Sequence, residues 1–169
     1  MNKLMLAAAA ALGLVAFEQD NKPQDDVTAL KTEVARLKGM VPDQSHAMSD
    51  VGFHFTNLWS AGDNANWPLA QFCLDETKSH LRWAVRIIPK RKDAEGREID
   101  LQGILTAIET STLKDLDVAV KAKDKAKFAA SYKAQLEACM SCHKASNKPY
   151  LRLHVPEKAD AGILDFKPE

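Results

Sequence analysis

Between Gln44 and Ser146 apolar residues recur at three- and four-residue steps, and few runs alternate with a period of two. That spacing predicts helices and leaves strands unnecessary. Four helices are expected, at about 45–61, 68–88, 98–122 and 124–146. The breakers agree with this division. Gly62-Asp63-Asn64 closes the first helix, Pro68 suits the first turn of the second, Pro89 stops it, and Gly96 lies in the polar loop Lys90 to Arg97. Helices joined by short or moderate loops predict an all-α fold, an antiparallel four-helix bundle over 44–155, whose interior is a usual place for a cofactor. Residues 156–169 are expected to form a C-terminal tail.

Two patterns precede that domain. Lys3 is followed by an apolar run, Leu4 to Ala16, that ends at Glu18-Gln19-Asp20. A positive charge, a short apolar core and a closing small residue read as a secretory signal over 1–16, with cleavage expected after Ala16. The run is too short to cross a bilayer, which takes roughly 20 apolar residues as a helix. A periplasmic or otherwise exported protein with no stable membrane span is therefore expected. Within 17–43, Val27, Leu30, Val34, Leu37 and Val41 form a heptad seam interleaved with Lys31, Glu33, Arg36 and Lys38. About two heptads support either of two expectations: a short additional helix packed on its own domain, or a seam that makes a homo-oligomer. Val41-Pro42-Asp43 ends the seam, because proline disfavours helical geometry in the residue before it.

The charge balance narrows the partners. The 23 basic and 23 acidic residues cancel, so no field directs the chain to nucleic acid or to an anionic membrane. With 46% apolar and 27% charged residues, the composition is that of a folded domain rather than a disordered chain.

The last expected helix carries Cys139-Met140-Ser141-Cys142-His143, the C-x-x-C-H spacing of covalent haem attachment. Residues three and four apart share a helical face, so two thiols can reach one porphyrin while the following imidazole reaches its iron. Phe128, Tyr132, Gln135 and Leu136 continue that face and give a largely apolar wall. One haem c per chain is expected, attached through Cys139 and Cys142, ligated by His143, and in contact with Tyr132 and Leu136. Lys144, Lys148 and Arg152, which follow the motif, are candidates to pair with haem propionates. A thioredoxin-like couple would place its first thiol at a helix N-terminus, whereas this pair lies near a helix end. A structural zinc site would want four protein ligands. The remaining cysteine, Cys73, lies among Leu69, Phe72 and Leu74 and reads as a buried, apolar-like thiol.

A single Cys139-Met140-Ser141-Cys142-His143 near the C-terminus, on the last of four helices, resembles the class II c-type cytochromes, the cytochrome c-prime and c556 group. The resemblance covers about Gln44 to Arg152 in layout, and its residue-level specificity lies in the haem motif. It implies a left-handed antiparallel four-helix bundle, often dimeric, with thioether bonds at Cys139 and Cys142 and His143 as the proximal ligand. Phe53-His54-Phe55, Asn66-Trp67-Pro68-Leu69-Ala70 and His80-Leu81-Arg82-Trp83 also resemble segments of bacterial exported cytochromes. The early heptad departs from the class II pattern, so the dimer geometry of that class does not carry over.

The sixth iron ligand separates the functions. Met48 lies on the apolar face of the first helix with Val51, Phe55, Leu58 and Trp59, and His54 at its edge. His54 is the first expectation for the sixth ligand. Met48 is the alternative, and the c556 resemblance implies a methionine from the first helix. On the second helix Glu76 and His80, four residues apart, fall in or beside the apolar arc, as a structural pair or as an influence on the haem pocket. Two protein ligands would make a one-electron carrier that serves redox partner proteins. An empty sixth position, as in the c-prime type, would suit binding of a diatomic gas. A haem-bearing subunit of a larger complex is a third reading. No nucleophile–base arrangement stands out, and no enzyme activity is assigned.

Overall fold

The computed structural model describes residues 22–168. The expected signal over 1–16 lies outside the described residues. The chain divides into two units, one ending at Val41 and one beginning at Pro42.

The first unit holds α1 (Lys22–Met40). Its surface is tied by Arg36, whose Nε and Nη2 donate to the two carboxylate oxygens of Glu33 at 2.8 and 2.7 Å. Val27, Leu30, Val34 and Leu37 are exposed along it, as is Val41 just beyond.

The second unit contains α2 (Gln44–Asp63), α3 (Trp67–Ile87), β1 (Lys90–Lys92), β2 (Glu98–Asp100), α4 (Leu101–Thr110), α5 (Thr112–Lys121) and α6 (Lys125–Ala145). Side-chain caps set most of the helix starts. Asp43 accepts from the backbone N–H of Ser45 and His46, Asn66 from Leu69, Asp100 from Gln102 and Asp124 from Lys127, each satisfying an amide that has no partner within its helix.

Two expectations need correction. The single helix expected at 98–122 is two helices, broken at Ser111, whose backbone leaves helical geometry at φ −124° and ψ −99°. The Thr110-Ser111-Thr112 run explains the break. Thr110 Oγ1 donates to the carbonyl of Thr106 and Ser111 Oγ to that of Ala107, and such back-bonding weakens a helix. The fold is also not purely helical. β1 and β2 pair antiparallel, Arg91 opposite Ile99, around a turn in which Asp93 accepts from the N–H of Glu95 and of Arg97. Gly96 there has φ +83°, a conformation that favours glycine.

The main core joins Phe55, Leu58 and Ala61 of α2, Ala70, Cys73 and Leu74 of α3, Leu113, Leu116, Ala119 and Val120 of α5, and Phe128 and Tyr132 of α6. Phe55 stacks on Tyr132 with ring centroids 4.3 Å apart, and the Tyr132 hydroxyl donates to the Phe55 carbonyl at 2.9 Å. A Cβ on Gly62 would lie 2.3 Å from the Phe128 ring, so glycine there admits the aromatic side chain. With Lys125 paired to Asp63 at 2.9 Å, these contacts climb α2 as they descend α6, and the two helices run in opposite directions. A second cluster unites Val85, Leu101 and Leu105, with Leu81, Ile99, Ile104 and Cys142 packed against it.

The C-terminal segment is tied to the second unit. Buried Asn57 accepts from the N–H of Asp160 and of Ala161 at 3.0 and 3.1 Å. Asn66 Nδ2 donates to the Lys167 carbonyl, and Phe166 packs on the main core. Among the described residues, no helix is long and apolar enough to cross a membrane.

Candidate functional site

The C-x-x-C-H motif occupies the end of α6. Lys144 in its last turn complements the helix dipole. Asn147 then adopts φ +57°, and the N–H of Lys148 returns to the His143 carbonyl at 2.8 Å, the left-handed closure common at helix ends. Pro149 follows. A turn from Lys148 to Leu151, closed at 3.1 Å, brings the Leu151 carbonyl to 3.3 Å from His143 Nδ1. A carbonyl only accepts, so this contact puts the ring proton on Nδ1 and leaves the Nε2 lone pair for a metal.

The two thiols differ in surroundings. Gln135, buried, joins Thr112 to Cys139: its Oε1 accepts from the Thr112 hydroxyl at 2.5 Å and its Nε2 donates to Cys139 Sγ at 3.3 Å. Burial pushes the Cys139 thiol up to about 11. Cys142 packs on the Val85, Leu101 and Leu105 cluster, and burial raises its thiol as well. Both therefore remain protonated thiols at neutral pH, unlike the acidic thiols of exchange catalysts. Cys73 is wholly buried in the main core, its thiol also pushed up to about 11 by burial.

Of the expected lining residues, Tyr132 is fully buried and Leu136 half-buried against the main core. Lys144 and Arg152 are exposed and make no ion pair among the described residues. Tyr150, Leu151 and Leu153, which follow the motif, are exposed. The end of α6 thus brings together two thiols three residues apart and an imidazole whose Nδ1 is turned to a carbonyl.

Met48 is half-buried on α2. His54 is drawn instead into a cluster with α3. Its ring stacks on His80 with centroids 5.2 Å apart and planes 14° from parallel, with Phe53 and Phe72 edge-on to it. Burial, then the neighbouring His80, lowers the His54 pKa against the opposing pull of Glu76 and Asp50. Glu76 Oε2 lies 3.6 Å from His80 Nε2, and Asp50 Oδ2 lies 3.5 Å from His80 Nδ1. Glu76 and His80 thus meet, as their spacing suggests, and Asp50 joins them from α2. Asp50 and His54 repeat the same four-residue acid–histidine spacing, a signal present in the sequence.

No family model, no curated protein and no solved structure matches this chain.

Proposed function

We propose that this chain is an exported mono-haem c-type cytochrome that carries single electrons between redox partner proteins. The observation that carries the reading is the end of α6: Cys139 and Cys142 one turn apart, followed by His143 with Nδ1 turned to the Leu151 carbonyl and Nε2 uncommitted. In this reading α2, α3, the α4–α5 pair and α6 form the antiparallel four-helix bundle implied by the class II resemblance. Cys139 and Cys142 would hold haem through thioether bonds, each S–H adding across one vinyl group. His143 would ligate the iron through Nε2. Haem iron supplies a one-electron ferric–ferrous couple, tuned by its axial ligands and its burial. Exposed Leu151, whose carbonyl meets His143, would supply apolar cover, and Lys144 and Arg152 would supply cations for the propionates.

The geometry favours Met48 over His54 as the sixth ligand. Met48 lies two turns before Phe55 on the same face of α2, the face that meets Tyr132 of α6. Extending the antiparallel register of α2 and α6 by those two turns puts Met48 level with the Cys139–Cys142 turn. His54 lies about 100° around the helix from Phe55 and is engaged by His80. Optical spectra of the oxidised and reduced protein, with and without carbon monoxide, test this. The wild type should be low-spin and resist carbon monoxide, and Met48→Ala should become high-spin and bind it, while His54→Ala leaves the spectrum unchanged. A high-spin wild type that binds carbon monoxide freely would replace the carrier with a gas-binding protein.

A further inference from the structure

The His54, Glu76 and His80 cluster lies apart from the C-x-x-C-H turn in sequence and has a donor set of its own. One donor atom from each residue falls within 4.8 Å of the other two. Two stacked imidazoles with two carboxylates beside them bring nitrogen and oxygen donors to one place. His80 Nδ1 is enclosed and makes no hydrogen bond among the described residues, and Asp50 Oδ2 is its nearest acid at 3.5 Å. The other nitrogen, Nε2, faces Glu76 at 3.6 Å.

We propose that His54, Glu76 and His80 bind one late first-row divalent cation of the zinc and copper class, with Asp50 as the positioning carboxylate on His80 Nδ1. Two imidazoles and a carboxylate suit those ions, whereas magnesium and calcium prefer oxygen donors throughout. Histidine ligands commonly donate their second ring N–H to a carboxylate, which fixes the tautomer and raises the basicity of the binding nitrogen. Asp50 stands where that partner is needed. Zinc bonds of about 2.1 Å set tetrahedral donors about 3.4 Å apart, so the widest donor separation must close by up to about 1.4 Å on binding. The Glu76 side chain is 38% exposed and free to swing inward. Three protein ligands leave one position open to water or a small ligand. Phe53 and Phe72 flank the His54 ring with apolar surface.

The test uses the full chain, stripped with a chelator and titrated with zinc chloride, with calorimetry and elemental analysis after gel filtration. One zinc per chain is expected, and His54→Ala and His80→Ala should each weaken binding at least tenfold. Glu76→Gln and Asp50→Asn should weaken it as well. Removal of the exposed His46 and His154 should change nothing. Circular dichroism checks the fold, and if either alanine variant loses helix, His54→Gln and His80→Gln take its place. On the wild type, copper(II) should give a paramagnetic resonance spectrum with nitrogen coupling from two imidazoles. Failure to retain zinc at micromolar concentration, or zinc retained undiminished in the folded double variant of His54 and His80, would overturn the site. The same titrations on protein with Cys139→Ser, Cys142→Ser and His143→Ala remove the C-x-x-C-H donors, so the outcome is read independently of whether haem is attached there.

Discussion

Single residues carry much of the polar chemistry at the helix contacts. Asp117 of α5, mostly buried, accepts from Lys78 of α3 at 2.8 Å, from Gln71 at 3.1 Å and from Lys121 on its own helix. Burial raises its pKa, but the hydrogen bonds from Lys121, Lys78 and Gln71 outweigh that and hold the carboxyl down at about 2. A carboxylate with a lowered folded pKa stabilises fully above its unfolded value, about 3.9, and the benefit is lost as pH falls toward 2. Asp117→Asn should therefore cost about 1–3 kcal/mol at pH 7, and the difference from wild type should shrink through that acid window in urea unfolding. At this scale the sequence is uneven to read. Cys139, Cys142, His143 and the Glu76–His80 pair are local spacings on one helix and are visible at once. Asp50 meets His80 across thirty residues and Asn57 meets Asp160 across more than a hundred, and no local pattern reports such partners.

The elements follow the hydrophobic period closely where the period is long. α2, α3 and α6 lie within a few residues of their expected bounds because each shows several turns of apolar repeat between strong breakers. α4 and α5 share one uninterrupted apolar pattern, and their separation rests on hydroxyl back-bonding at Thr110 and Ser111, which the period does not register. The hairpin was hidden for a different reason. Its strands are three residues each, and in them only Ile99 is apolar; Arg91 is fixed by donating to the Gln44 side chain rather than by a buried face. The heptad of α1 has the opposite character, a legible seam with exposed Val27, Leu30, Val34 and Leu37. Such a stripe favours self-association, which removes it from water. Deleting Asp26 to Val41 should lower the mass measured by light scattering to that of one chain. An unchanged mass would assign the seam to packing within the chain.

At the scale of the whole molecule, the helical class was legible from periodicity, while the path of the C-terminal segment was not. Residues 156–169 read as a tail because they are short of apolar repeats, yet Ala161 is buried and Phe166 packs on the main core. Asn57→Ala would leave the Asp160 and Ala161 amides without their acceptor, and a loss of about 1–3 kcal/mol is expected in urea unfolding. Truncation after Val155 should cost at least as much, since it also uncovers the surface under Phe166. The account as a whole turns on covalent haem. Protein produced with a haem-attachment system should keep its haem with the polypeptide through denaturation and acid–acetone extraction, and of its three cysteines only Cys73 should then be alkylated. Haem that extracts freely, with Cys139 and Cys142 alkylated alongside Cys73, would contradict it.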